Sequence, residues 1–158
     1  MSAFTDLGLA WLCAGCFALT VVSAVVPWVN AEVIVLSLPA FATSRWTLLL
    51  LVLVATAGQM TGKLAIYWAG RGGARMPSPK IAAALDRWAP RFGAGGRKAA
   101  GLIVLSSAVG IPPFFVTTLL AGAVRMHIAT FLVAGTCGRI LRFGTLVLAP
   151  ELIAQAMS

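Results

Sequence analysis

The chain has 158 residues, 60% of them hydrophobic and only 10% charged, with a mean hydropathy of +0.97. That balance excludes an ordinary soluble domain and describes an all-α integral membrane protein with a single membrane domain. In such a chain the net charge of +8 is read as cytoplasmic loops and partnership with anionic lipid headgroups, with no nucleic-acid partner.

No basic residue precedes Arg45, so a cleavable signal peptide is not expected, and Cys13-Ala-Gly-Cys16 is not read as a lipoprotein cleavage site. Residues 7–26 are apolar, stop at Pro27 and could span by themselves. Pro27-Trp-Val-Asn-Ala-Glu32 is a polar interruption. The apolar run 33–41 after it is too short to cross, since a span takes about 20 residues. The region therefore reads as a broken, hairpin-like unit with its breaks at Pro27 and Asn30. The other reading is that residues 7–26 span outright, which moves the N-terminus to the opposite side of the membrane.

Arg45-Trp46 has the character of an interfacial anchor. From residue 46 to 70 the chain is apolar apart from Gln59 and Lys63, the clearest spanning helix, roughly 37 Å long at a rise of about 1.5 Å per residue. Lys63 is placed near the inner end, where it can snorkel. Gly58-x-x-x-Gly62 lets another helix approach closely. The segment 71–98 then carries seven basic residues against the single acid Asp86, which places it in the cytoplasm. Ile81, Leu85, Trp88 and Phe92 recur in it at helical spacing, with Lys80, Arg87 and Arg91 as the polar complement. The expectation is a short amphipathic helix lying on the inner leaflet; a solvated linker is the plainer reading, because Pro90 interrupts the pattern.

The next stretch, Ser106 to Gly122, is apolar but broken by Gly110, Pro112 and Pro113. Proline lacks an N–H and clashes with the preceding turn, and it pushes the residue before it out of helical dihedrals. Each half is too short to span, and a break at membrane depth is tolerated only against protein or a water-filled cavity. Arg125 and His127 mark the inner boundary. Residues 128–149 form a second spanning helix that carries Arg139 and Arg142 and ends at Pro150-Glu151. The order is thus a broken unit and a spanning helix (about 7–70), the basic loop 71–98, and a second broken unit and spanning helix (about 99–149). The two halves run in opposite directions. Inverted repeats with matched Pro-interrupted segments point to a transporter site near the midplane.

Four pieces of the chain resemble the DedA family, also called SNARE-associated or VTT-domain membrane proteins, and in particular its small bacterial members. They are Pro27 with Asn30-Ala-Glu32; Gly58-x-x-x-Gly62-x-x-x-x-Tyr67-x-x-Gly70-Arg71; Ser106-Ser with Pro112-Pro113, Ala121-Gly122, Arg125-Met126 and Phe131; and Gly135-x-x-Gly138-Arg139-x-x-Arg142-Phe143. The resemblance implies two facing re-entrant hairpins, each followed by membrane helices, in a multi-pass protein of the bacterial inner membrane. It also implies a role in moving lipids between leaflets: phospholipid scrambling, or proton-linked recycling of undecaprenyl phosphate. The larger members carry two arginines in the Pro-containing hairpin. Here the matching positions, near Ala108 and Phe114, are apolar, and the basic groups come later, at Arg139 and Arg142.

Glu32 is the only carboxylate inside the apolar part of the chain. Intramembrane carboxylates are costly and are kept for function or paired, so Glu32 is the proton-coupling candidate, with capping of a half-helix as its structural alternative. Arg139 and Arg142 lie three residues apart, on one helix face. They are the candidates for binding a lipid phosphate through the guanidinium fork, or for a structural ion pair with Glu32. Gly58, Gly62, Gly122 and Gly138 are read as helix-packing positions. Cys13-x-x-Cys16 raises a membrane thiol relay, but the pair lies in an apolar segment with no nearby base. No metal-ligand cluster, nucleophile triad or phosphate-binding glycine loop is present in the sequence, so neither an enzyme nor a cofactor is expected. The expectation is a flippase or scramblase for a phosphate-bearing lipid, with a homodimer as one way to enclose its path. The alternative from another class is a non-transporting scaffold that organises the bilayer.

Overall fold

The computed structural model describes residues 2–26, 29–72, 79–92 and 96–156. Every regular element among them is helical. The order is α1 (Ser2–Val25), α2 (Ala31–Ser37) with a 3-10 turn at Leu38–Ala40, α3 (Arg45–Arg71), α4 (Pro79–Phe92), α5 (Arg97–Val109), α6 (Phe114–Ala123) and α7 (Ile128–Ala156). Pro27 lies outside the described residues. Three helices are long and apolar enough to cross a membrane: Leu7–Val25 within α1, Arg45–Arg71, and Ile128–Ala149 within α7. This is one more than the two spans expected above, because nothing before Val25 breaks α1. The chain divides into two compact units, Met1–Gly62 with Phe143–Ser158, and Lys63–Arg142.

In the first unit α1 and α2 pack on one another. Their core residues Cys16, Val35 and Leu38 join Leu48, Leu51 and Val52 of α3 and Phe143 and Val147 of α7. Lipid tails are as apolar as leucine, so burial alone does not bring membrane helices together; close backbone approach and polar contacts do. The Gly58/Gly62 pair supplies that approach. A Cβ on Gly58 would meet Phe17 O at 2.6 Å, and one on Gly62 would meet Val21 O at 2.7 Å. Gln59 Nε2 donates to Ser23 Oγ across the same seam at 2.6 Å. Ser44 caps α3 by accepting from the Thr47 N–H at 3.1 Å, and Trp46 beside it is 81% exposed.

In the second unit α5 and α6 are two short helices that fold back on each other. At about 1.5 Å per residue neither reaches the roughly 30 Å of a hydrocarbon core. Gly110 ends α5 in the left-handed region at φ 88, a conformation that glycine adopts without a Cβ penalty. Pro113 then stands at the start of α6. Ser106 Oγ donates to Pro112 O at 2.5 Å and shares a 2.8 Å hydrogen bond with Thr117 Oγ1. In a continuous helix those two hydroxyls would be about 16 Å apart.

Two expectations need correction here. The amphipathic helix exists as α4, but it is not simply laid on a leaflet: it packs against α5 and α6, with Leu85 and Phe92 buried. The apolar side of α4 is therefore used inside the protein. Pro90 lies inside α4, two residues before its end, and removes the N–H that would bond Asp86 O. Lys63 does not snorkel either. It is 6% exposed and points at aromatic rings.

Candidate functional site

The second unit is assembled around α6. A Cβ on Gly70 would run into Leu119 O, and one on Gly122 into Tyr67 O, so the two glycines let the α3 and α6 backbones touch. That contact brings Tyr67 under the end of α6. Its hydroxyl donates to Met126 O, and Arg71 Nη1 donates to the Tyr67 hydroxyl at 3.0 Å. The Tyr67 ring stacks on Phe131 of α7 with centroids 5.1 Å apart, and Phe131 stacks on Phe114 at 6.4 Å. The motif Tyr67-x-x-Gly70-Arg71 is thus a packing device that sets the position of Phe114, the first residue of α6.

Positive charge gathers on that residue and on the break beside it. The Arg139 guanidinium lies 4.8 Å from the Phe114 ring centroid. Lys63 Nζ lies 5.6 Å from the same ring and 5.7 Å from Phe115. A cation over an aromatic face gains about 0.5–2 kcal/mol, most when water is excluded. Arg142 Nη1 donates to Ala108 O at 3.0 Å, satisfying one of the carbonyls that α5 leaves open at its C-terminus. The Arg142 guanidinium also passes the break itself, 3.5 Å from where a Cβ on Gly110 would stand. α7 can run this close because Gly138 has no side chain: a Cβ there would meet Val104 O at 2.6 Å.

Lys63, Arg139 and Arg142 therefore converge on the residues 108–115. Arg139 and Arg142 are half-buried, with guanidinium forks suited to a bidentate anion such as phosphate. The two arginines of α7 lie against Ala108 and Phe114 of the hairpin. Lys63 was the residue that the sequence reading missed as a site member. The available signal was its place one helical turn before Tyr67, on the side of α3 that also carries Gly70.

Glu32 belongs to the first unit, is half-buried, and stands in the first turn of α2. Its backbone N–H donates to the Asn30 side chain at 2.8 Å, so Asn30 is the N-cap of α2. A carboxylate in the first helical turn is favoured by the helix dipole. Cys13, Cys16 and Cys137 are free thiols. Cys16 is packed in the core of the first unit, with Sγ 3.8 Å from Leu51 O, the environment of a small hydrophobe. His127 is exposed just before α7. Among the described residues no group of three or more His, Cys, Asp or Glu side chains is placed to hold a metal ion. Compared with protein-family models, with curated proteins and with solved structures, the chain gives no match.

Proposed function

We propose that the chain is a multi-pass bacterial inner-membrane protein that moves a phosphate-bearing lipid, a phospholipid or a polyprenyl phosphate, between leaflets as a flippase or scramblase, in the manner of the DedA family it resembles. The observation that carries this reading is the convergence of Lys63, Arg139 and Arg142 on one broken helical hairpin. Broken helices that line a site near mid-membrane are the usual way that transporters bind a polar group inside a bilayer. The break itself fits hydrocarbon better than water, because Val109 and Ile111 are exposed at it. On this reading α5 and α6 are a re-entrant hairpin, α1 and α2 its inverted counterpart, and a homodimer can enclose the lipid path.

The proposed cycle begins with the phosphate exchanging onto the arginine forks. Arg139 lies over the Phe114 ring and Arg142 holds Ala108 O, and the phosphate takes up part of each fork. Glu32 is the group that takes up and releases a proton and so couples transport to a pH gradient. The test is leaflet exchange of headgroup-labelled lipids in reconstituted vesicles, with and without a pH gradient. Arg139→Ala and Arg142→Ala should each slow exchange on the order of 10- to 100-fold, the loss expected for one charged hydrogen-bonding partner. Glu32→Gln should remove the response to the gradient. Full activity in both arginine variants would overturn the reading and leave a membrane-organising scaffold.

A further inference from the structure

A second feature of Lys63–Arg142 lies on the far side of Gly138 from the cation cluster. α5 and α7 run side by side and pinch together where Gly138 meets Val104 and Ser107. Between the two helices is an open groove of about 510 Å3, lined by Ala100, Val104, Thr130, Val133, Ala134 and Cys137. The lining is small and apolar, with one hydroxyl. On α7 it runs from Ala129 to Cys137, about 12 Å at a rise of about 1.5 Å per residue. Its volume is within the range of ligand-binding clefts.

The residues that lead into the two lining helices have the opposite character. Arg97 and Lys98 open α5 one turn before Ala100, and Arg125 and His127 stand just before α7 begins. All four are exposed. Neither α5 nor the stretch from Arg125 to Cys137 contains an acid. An apolar slot whose lining helices are led by cations complements a molecule that has an apolar tail and an anionic head. A second copy of the chain would bring the same cations to them; a lipid brings the opposite charge.

We propose that this groove binds one anionic phospholipid, with an acyl chain lying along Val104, Val133 and Ala134 and the phosphate headgroup held among Arg97, Lys98 and Arg125. The lipid comes from the leaflet next to the basic segment. The site is distinct from the cation cluster at Phe114 and does not require the chain to move lipid.

The experiment reads retention. The full chain is reconstituted in vesicles of equal phosphatidylcholine and phosphatidylglycerol, extracted in mild detergent, and the lipid kept per chain is counted by mass spectrometry. Phosphatidylglycerol should be enriched roughly tenfold over phosphatidylcholine. Arg97→Gln with Lys98→Gln should abolish the preference. Val133→Trp and Thr130→Phe fill the groove from exposed positions that the fold does not need, and they should expel the retained lipid. Cys137 gives a readout in the intact bilayer: its alkylation by N-ethylmaleimide should be several-fold slower in vesicles containing phosphatidylglycerol than in phosphatidylcholine alone. Equal retention of the two lipids, or phosphatidylglycerol kept by both classes of variant, overturns the proposal. So does displacement by soluble glycerol phosphate, which marks a free-phosphate site, or a disulfide between the Cys137 residues of two chains, which puts a second copy in the groove.

Discussion

The two breaks in the helical chain are closed by different chemistry. At the first, between α1 and α2, an exposed side chain does the work: Asn30 caps the N–H of Glu32, two residues on. The arms are unequal, 24 residues against 7. At the second, between α5 and α6, the arms are nearly equal, 13 and 10 residues. The groups that close it are buried or come from a distant helix: Ser106 on Pro112 O and Thr117, and Arg142 of α7 on Ala108 O. A break that can reach water or an interface is satisfied locally. The carbonyls of the second break that face the protein take partners from other residues, because an unpaired backbone group away from water costs as much as a lost hydrogen bond. The second break is thereby wired to α3 and α7, and those wires carry charge.

The sharpest way to break this contrast is at the glycines. Gly122→Ala drives a Cβ into Tyr67 O, a backbone atom that cannot step aside. A loss of about 3 kcal/mol or more is expected from such overpacking, read as a fall in the folded fraction on denaturation from mild detergent into SDS. Ser106→Ala should cost about 2 kcal/mol, because it leaves the buried Pro112 O and Thr117 hydroxyl short of a partner. Asn30→Ala, the matching change at the first break, should cost about 1 kcal/mol, the usual value of a helix cap. Equal losses in the two variants, measured in the same denaturation, would remove the distinction between the breaks. At the small end, a Cβ on Gly15 in α1 meets nothing within 4 Å. Gly15→Ala should therefore stabilise α1 by about 0.5–1 kcal/mol, since alanine loses less entropy in a helix.

Much of the second break was legible from residues alone. Gly110, Pro112 and Pro113 forbid a continuous helix whatever surrounds them, and the glycines at 58, 62, 122 and 138 each turn out to lie against another backbone. Arg139 and Arg142 were placed on one helix face, and the structure brings both to the hairpin. Their separate duties, one on a ring and one on a carbonyl, depend on where α5 ends and α6 begins. Lys63 was misread because its position along α3 suggested a route to the interface. The rings of Phe114 and Phe115, about a third of the chain away, hold it inside instead. The apolar side of α4 was read correctly as a stripe and wrongly as a lipid-facing one, because periodicity reports that a face is buried without saying what buries it.

By itself, the sequence determined the all-helical membrane character, the places where the chain must break, and the sparse stock of charges available to a site. Those follow from backbone chemistry and hydropathy, which act locally. Only the tertiary structure decided that α4 packs against the second hairpin and that Lys63, Arg139 and Arg142 meet there. Each depends on which residues face one another across elements far apart in the chain, a relation that no local pattern encodes.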